Sequence, residues 1–144
     1  MKLRLIHKLS ILLLVIGLNS ASGFPQMFTT SFSSSIGSSN VYEFDAVDIR
    51  PEFPGGERAL FNFINGEKRY PADAYSAGIE GRVLISFIIA ADGTVSNATV
   101  VRGVDDSLNR EAVRVVNLMP KWTPGKVDGE TVNVRHVITI VFRL

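Results

Sequence analysis

The chain has 144 residues, 46% of them apolar and 20% charged, enough for one ordinary folded domain and too apolar for a disordered one. Its formal net charge of +1 is too small for a nucleic-acid footprint, so no nucleic-acid partner is expected. It has no cysteine, which excludes disulfides, thiol catalysis and thiolate metal sites. Its two histidines are His7 and His136, so imidazole chemistry in the folded part would rest on His136 alone.

The first element is a targeting segment. Lys2, Arg4, His7 and Lys8 precede the apolar run Leu9–Leu18, which is broken only by Ser10 and Gly17 and followed by Ser20, Ala21, Ser22 and Gly23. This basic, apolar, small-residue order is that of a secretory signal. A membrane-spanning helix needs about 20 apolar residues, and this run is only ten residues long. Residues 1–23 are read as a signal peptide cut after Ser22 or Gly23, with a short uncleaved anchor as the alternative. Without a cysteine there is no lipoprotein. From Phe24 onward twelve bases face fourteen acids, a net charge of −2.

Residues 24–49 read as a leader: Phe24–Asn40 is Ser-rich without a sustained period, and Val41–Ile49 could lie extended on the domain. Fully extended, these 26 residues reach about 90 Å; as a Ser-rich coil they average about 30 Å. Arg50–Gly56 contains two prolines and two glycines and is expected to be an irregular hinge.

The domain proper is placed at 50–144. Leu60, Phe61 and Ile64 have helical spacing within Glu57–Asn65, with Gly66 expected to end the helix in the left-handed conformation. Tyr70-Pro71 breaks the chain, and Ala72–Ala77 is a short turn stopped by Gly78. Gly81–Ala91 is the clearest strand. Val83, Ile85, Phe87 and Ile89 form one face, and Leu84 and Ile88 make the other apolar too, which predicts cover on both sides. Asp92-Gly93 is a hairpin turn whose residues tolerate positive φ, and Val95–Arg102 returns antiparallel.

Asp105 or Asp106 is expected to cap the next helix. Its stripe of Leu108, Ala112, Val115, Val116 and Met119 points inward, leaving Arg110, Glu111 and Arg114 in water. Pro120 ends it, Gly125–Glu130 is a loop, and Thr131–Leu144 is the last strand. A hairpin followed by a helical crossover places the last strand beside the first. The fold class is therefore α+β: a three-stranded antiparallel sheet in strand order 2-1-3, with helices packed on one face. The last strand is left on an edge with no proline and only Arg135 and Arg143 as bases, a long row of unpaired backbone groups. Three readings stay open: the edge binds an extended peptide by strand addition, it pairs with a second copy in a homodimer, or Val41–Ile49 covers it.

Tyr70-Pro71-x-x-Ala74-x-x-x-Gly78-Ile79-x-Gly81-x-Val83-x-Ile85-x-Phe87-x-Ile89, then Asp92-Gly93-x-Val95, Leu108, Glu111-Ala112, Trp122 and Pro124-Gly125-Lys126 together resemble the TonB C-terminal domain family. Glu52-Phe53-Pro54-Gly55-Gly56 and Met119-Pro120-Lys121-Trp122 resemble its Bacteroidetes branch. The likeness covers about 50–144.

The resemblance implies a periplasmic, non-enzymatic module with no cofactor. Such a module pairs with the TonB box of an outer-membrane receptor and, with an inner-membrane proton-driven complex, supports energy-dependent transport. The pairing strand it implies consists of Val132, Asn133, Val134, Arg135, His136, Val137, Ile138, Thr139, Ile140, Val141 and Phe142. Glu67, Lys68, Arg69 and Tyr70 are implied to lie near the receptor. The short apolar run and short leader leave a second reading, a stand-alone secreted or dimeric interaction domain without force coupling. Location is periplasmic after cleavage, or at the inner membrane if the signal stays.

Several features have plainer readings. Trp122 is expected to plug the core and His136 to be a solvated strand residue. Gly78, Gly81 and Gly93 make no phosphate loop, since no Gly-Lys-Ser/Thr follows a strand. No constellation of base and nucleophile stands out, so no enzymatic activity is expected.

Overall fold

The computed structural model describes residues 40–144, so the expected signal peptide, 1–23, and the part of the expected leader up to residue 39 lie outside the described residues. In chain order the elements are β1 (Val41–Glu43), α1 (Gly56–Glu67), α2 (Ala72–Ser76), β2 (Gly81–Ile89), β3 (Val95–Arg102), α3 (Asp106–Asn117), β4 (Gly125–Val127) and β5 (Glu130–Phe142). The sheet runs β1-β5-β2-β3, and β4 pairs with β5 off this path.

The α+β class and the 2-1-3 centre are present: β2 lies between β3 and β5 and is antiparallel to both. The sheet is nevertheless larger than three strands. β1 joins β5 in parallel, Val41 opposite Asn133 through Glu43 opposite Arg135. Arg135 Nη1 donates to Glu43 Oε1 at 2.9 Å across that pair. The expected loop Gly125–Glu130 is instead a hairpin, with Gly125 opposite Val132 and Val127 opposite Glu130. Asp128 and Gly129 have φ of 51° and 79°, the two successive left-handed residues of a type I′ turn, whose twist matches that of the strands it joins.

Val83, Ile85, Phe87 and Ile89 of β2 are fully buried in one cluster with Leu108, Ala112, Val115 and Val116 of α3. Burial of side chains of this size contributes about 1.5–3 kcal/mol each, so this strip fixes α3 to the sheet. Leu84 and Ile88 on the opposite face are only half-buried, so β2 is covered on one side rather than two.

Asp105 caps α3 by accepting from the Ser107 backbone N–H at 2.9 Å. Glu111 does not face water as its place on the polar stripe suggests. Its side chain is 11% exposed, because it accepts from Arg114 Nε and Nη2 and from the Arg69 backbone N–H at 2.7–2.8 Å. The segment after α1 is thereby tied to α3.

α1 runs past Gly66, which stays right-handed. The Lys68 N–H closes the helix on Ile64 O at 3.0 Å, and Lys68 itself is extended, with ψ 127°. The segment 50–56 is irregular but pinned. Glu52 and Thr123 exchange backbone hydrogen bonds of 3.0 and 2.8 Å, and Phe53, 6% exposed, packs edge-on to Trp122 and against Phe63.

The β2–β3 turn also differs from a two-residue loop. Gly93 N–H donates to Ala90 O and only Gly93 takes positive φ, at +87°. Gly93 O then accepts from Trp122 N–H at 2.9 Å. A Cβ at Gly93 would lie 2.0 Å from Trp122 O, so glycine is required there by both conformation and space.

Candidate functional site: the open half of the last strand and its cleft

β5 has two kinds of neighbour along its length. Residues 134–142 pair with β2. On its other partners, β1 takes 133–135 and β4 takes 130–132. From His136 to Phe142, β2 is the only strand partner among the described residues. The edge expected over Val132–Phe142 is therefore only partly exposed: the chain's own residues 41–43 occupy Asn133, Val134 and Arg135.

Backbone direction alternates along an antiparallel ladder. Ala90 N–H donates to Thr94 O, so even-numbered residues of β2 turn their backbone groups to β3 and odd ones turn to β5. The unbroken register, with Ile85 opposite Ile138, then points Val137, Thr139 and Val141 away from β2. Lys68 agrees with this: its Nζ donates to Val141 O at 2.5 Å from outside the ladder. The N–H and C=O groups of Val137 and Thr139 thus line an open edge. Val137 is 46% exposed.

The even residues of this half-strand turn their side chains to the helix side, where a cleft of about 660 Å³ opens. Its lining includes Ile138, His136 and Trp122 from the sheet side, Phe44, Arg50 and Phe53 from the segment before α1, and Leu60, Phe61 and Ile64 from α1. Phe44 stacks on His136 at 3.9 Å between ring centroids. Phe87 and Trp122 meet the imidazole edge-on at 5.7 and 5.8 Å, and Arg50 lies 5.5 Å from the Phe44 ring centre.

His136 is thus half-buried in an aromatic cluster and not solvated as expected. Burial holds its pKa below the ordinary imidazole value, with the Asp45 carboxylate opposing. Trp122 is the expected core plug, 5% exposed, and its buried Nε1–H has no hydrogen-bond partner among the described residues.

The four residues expected near the receptor flank the far end of this edge, with unequal roles. Lys68 reaches Val141 O and lies 5.5 Å from the Phe142 ring centre, and burial lowers its pKa. Tyr70 is structural: its hydroxyl donates to Ile79 O at 2.5 Å and its ring packs on Phe142. Glu67 gives its carbonyl to Arg114 Nη2, and Arg69 gives its N–H to Glu111, leaving both side chains at the surface.

Phe44, Arg50 and Phe61 carry no mark in the sequence as site residues. Phe44 follows a strand of only three residues, and Phe61 falls within an ordinary apolar helix stripe. Among the described residues no group of three or more His, Asp or Glu is placed to hold a metal ion. No described helix is long and apolar enough to cross a membrane.

Comparison with known proteins gives consistent matches. Residues 66–144, more than half of the chain, match the family model for the Gram-negative bacterial TonB protein C-terminal region. Protein TonB of Helicobacter pylori J99 is 43% identical over 63 residues, 40% of this chain and 22% of that protein. Protein TonB of Haemophilus influenzae is 36% identical over 61 residues, 42% of this chain and 23% of that protein. The chain thus matches less than a quarter of the length of these relatives.

A solution structure of the Helicobacter pylori TonB C-terminal domain aligns with a TM-score of 0.43 at 33% identity, covering 63% of this chain and 88% of that one. That of Pseudomonas aeruginosa aligns at 0.47 and 23% identity, covering 74% and 96%. On the strength of the family match, the chain belongs to the TonB C-terminal family.

Proposed function

We propose that this protein is a periplasmic, non-enzymatic TonB-like module. It takes an extended segment of an outer-membrane receptor, the TonB box, onto the open half of β5 and supports energy-dependent outer-membrane transport. The observation that carries the reading is the outward-facing backbone of Val137 and Thr139, which has no strand partner among the described residues and adjoins an apolar cleft. Strand addition supplies main-chain hydrogen bonds for affinity and alternate side chains for specificity, and this edge offers both. The pairing residues are narrowed to His136–Phe142, with Lys68 at the far end; Asn133–Arg135 would join only if β1 left, and Val132 only if β4 did.

Export by residues 1–23, a leader over residues 24–49, of which 41–43 pair with β5, and coupling to an inner-membrane proton-driven complex belong to the same proposal. Titrating synthetic receptor plug segments into the isotopically labelled protein tests it. The expected result is amide shifts concentrated on Val137, Thr139 and Val141. Shifts that avoid these residues, or no binding at all, refute it. A micromolar dimer that peptide leaves intact points instead to self-pairing of the edge.

A further inference from the structure

We infer that the cleft beside β5 is a pocket for one bulky apolar side chain, aromatic or branched aliphatic, carried by the added strand at the position paired with Ile138. This rests on the strand addition proposed above and goes further, since it assigns a residue class to one position of the guest.

Directly paired residues on neighbouring strands place their side chains on the same face of the sheet. His136, Ile138 and Ile140 share the helix-side face, because they pair with the buried Phe87, Ile85 and Val83. A guest strand beside β5 therefore presents to the cleft only the residues paired with these three. The position beside His136 is already filled from within. Phe44 follows Glu43, which pairs with Arg135, and its ring stacks on His136 at 3.9 Å. At the other end Lys68 crosses to Val141 O. What remains is the position beside Ile138, at the mouth of the 660 Å³ cleft.

Two observations fix the chemistry of the occupant. The protein's own chain places an aromatic ring at the neighbouring position, so this face of the edge receives a flat apolar group. Opposite it, α1 turns Phe61 toward the cleft, and Phe61 is 66% exposed with no ring contact to any other described aromatic. A guest side chain at Ile138 would cover Phe61 together with Leu60 and Ile64. No charged group on the cleft wall is buried and aimed inward: the rim residues Arg50, Glu52 and Glu57 are all exposed. A charged guest side chain would lose its hydration there without a partner.

The test uses the full chain and a set of synthetic threonine-rich heptapeptides in which a single phenylalanine is moved through every position. The expected result is affinity at least tenfold higher when phenylalanine sits at the position whose cross-peptide contacts map to Ile138, and no gain at the positions on either side of it. Lysine at the same place should abolish the gain. Equal affinity wherever the phenylalanine stands overturns the pocket while strand addition survives. Absence of shifts at Val137 and Thr139 with every peptide overturns both.

The variant Phe61→Ala supplies a second readout. Its side chain is largely in solvent, so thermal stability should be unchanged while the tenfold preference falls below threefold. An undiminished preference in that variant overturns the inference.

Discussion

Replacing Val137 by proline separates the open edge from the closed one. Val137 directs its N–H away from β2, so a proline there removes no internal ladder bond, and proline is tolerated in strands where the lost donor faces solvent. The side chain is already 46% exposed, so little apolar burial is lost. Stability should fall by no more than about 1 kcal/mol, the range of a surface substitution with some adjustment of φ.

Binding should suffer more. The guest carbonyl opposite Val137 loses its donor: the lost bond itself counts for about 0.5–1.5 kcal/mol, and the unsatisfied partner raises the penalty to about 1–3 kcal/mol. An affinity loss of roughly tenfold follows, since about 1.4 kcal/mol corresponds to one decade. The contrasting change is Ile138→Pro. Its N–H faces Ile85 within the ladder, so it removes an internal bond and leaves the buried Ile85 carbonyl unpaired, and that variant should be severely destabilised. Thermal unfolding and peptide titration of the two variants form the assay. A Val137→Pro protein that fails to fold, or that folds and binds receptor peptides as tightly as the original, refutes the assignment of which residues face outward.

Three further outcomes are expected. Gly93→Ala should destabilise by about 3 kcal/mol, combining left-handed strain with a Cβ 2.0 Å from Trp122 O; a urea midpoint shift equivalent to under about 1 kcal/mol would contradict this. Glu111→Ala should cost about 1–2 kcal/mol by stranding the Arg69 N–H and the Arg114 guanidinium, with Glu111→Gln losing less in a chemical denaturation series.

The third outcome is pH dependence in two windows. Burial depresses the His136 pKa in the folded protein. The unfolded chain therefore binds the proton first, and stability should drop as pH falls from about 6.5 through the folded value. His136→Gln should flatten that window. For Glu111, burial alone would raise the pKa, but Arg114 and the Arg69 N–H more than offset it. Its contribution is present above the ordinary carboxylate range and lost below it, and denaturation of Glu111→Gln at acid pH reports it.

Periodicity made the central strands legible. Val83, Ile85, Phe87 and Ile89 alternate strictly, and Leu108, Ala112, Val115 and Val116 recur at helical spacing, so both faces of the main core could be written down before any coordinates. β1 was not legible because three residues carry too little pattern, and its place depends on pairing with residues 92 positions away. β4 is legible only in part: Asp128-Gly129 is the same type of turn signal as Asp92-Gly93, but the three residues before it, Gly125–Val127, carry too little pattern to mark a strand.

Glu111 and His136 misled for a common reason. Periodicity identifies which way a side chain points and says nothing about what another segment brings to meet it, here the Arg69 backbone and the Phe44 ring. The candidate site itself was half legible: the unguarded strand could be read, whereas the cleft depends on how 44–53 and α1 settle against it.

The ring of Phe44 at one end and the ammonium of Lys68 at the other act as brackets on the sheet margin. A bare margin of unlimited length would invite stacking by any passing strand. One closed off at both ends admits a visitor only a few residues long and then obliges it to turn away. A margin so bracketed is too short to template the repeated strand stacking that leads to aggregation.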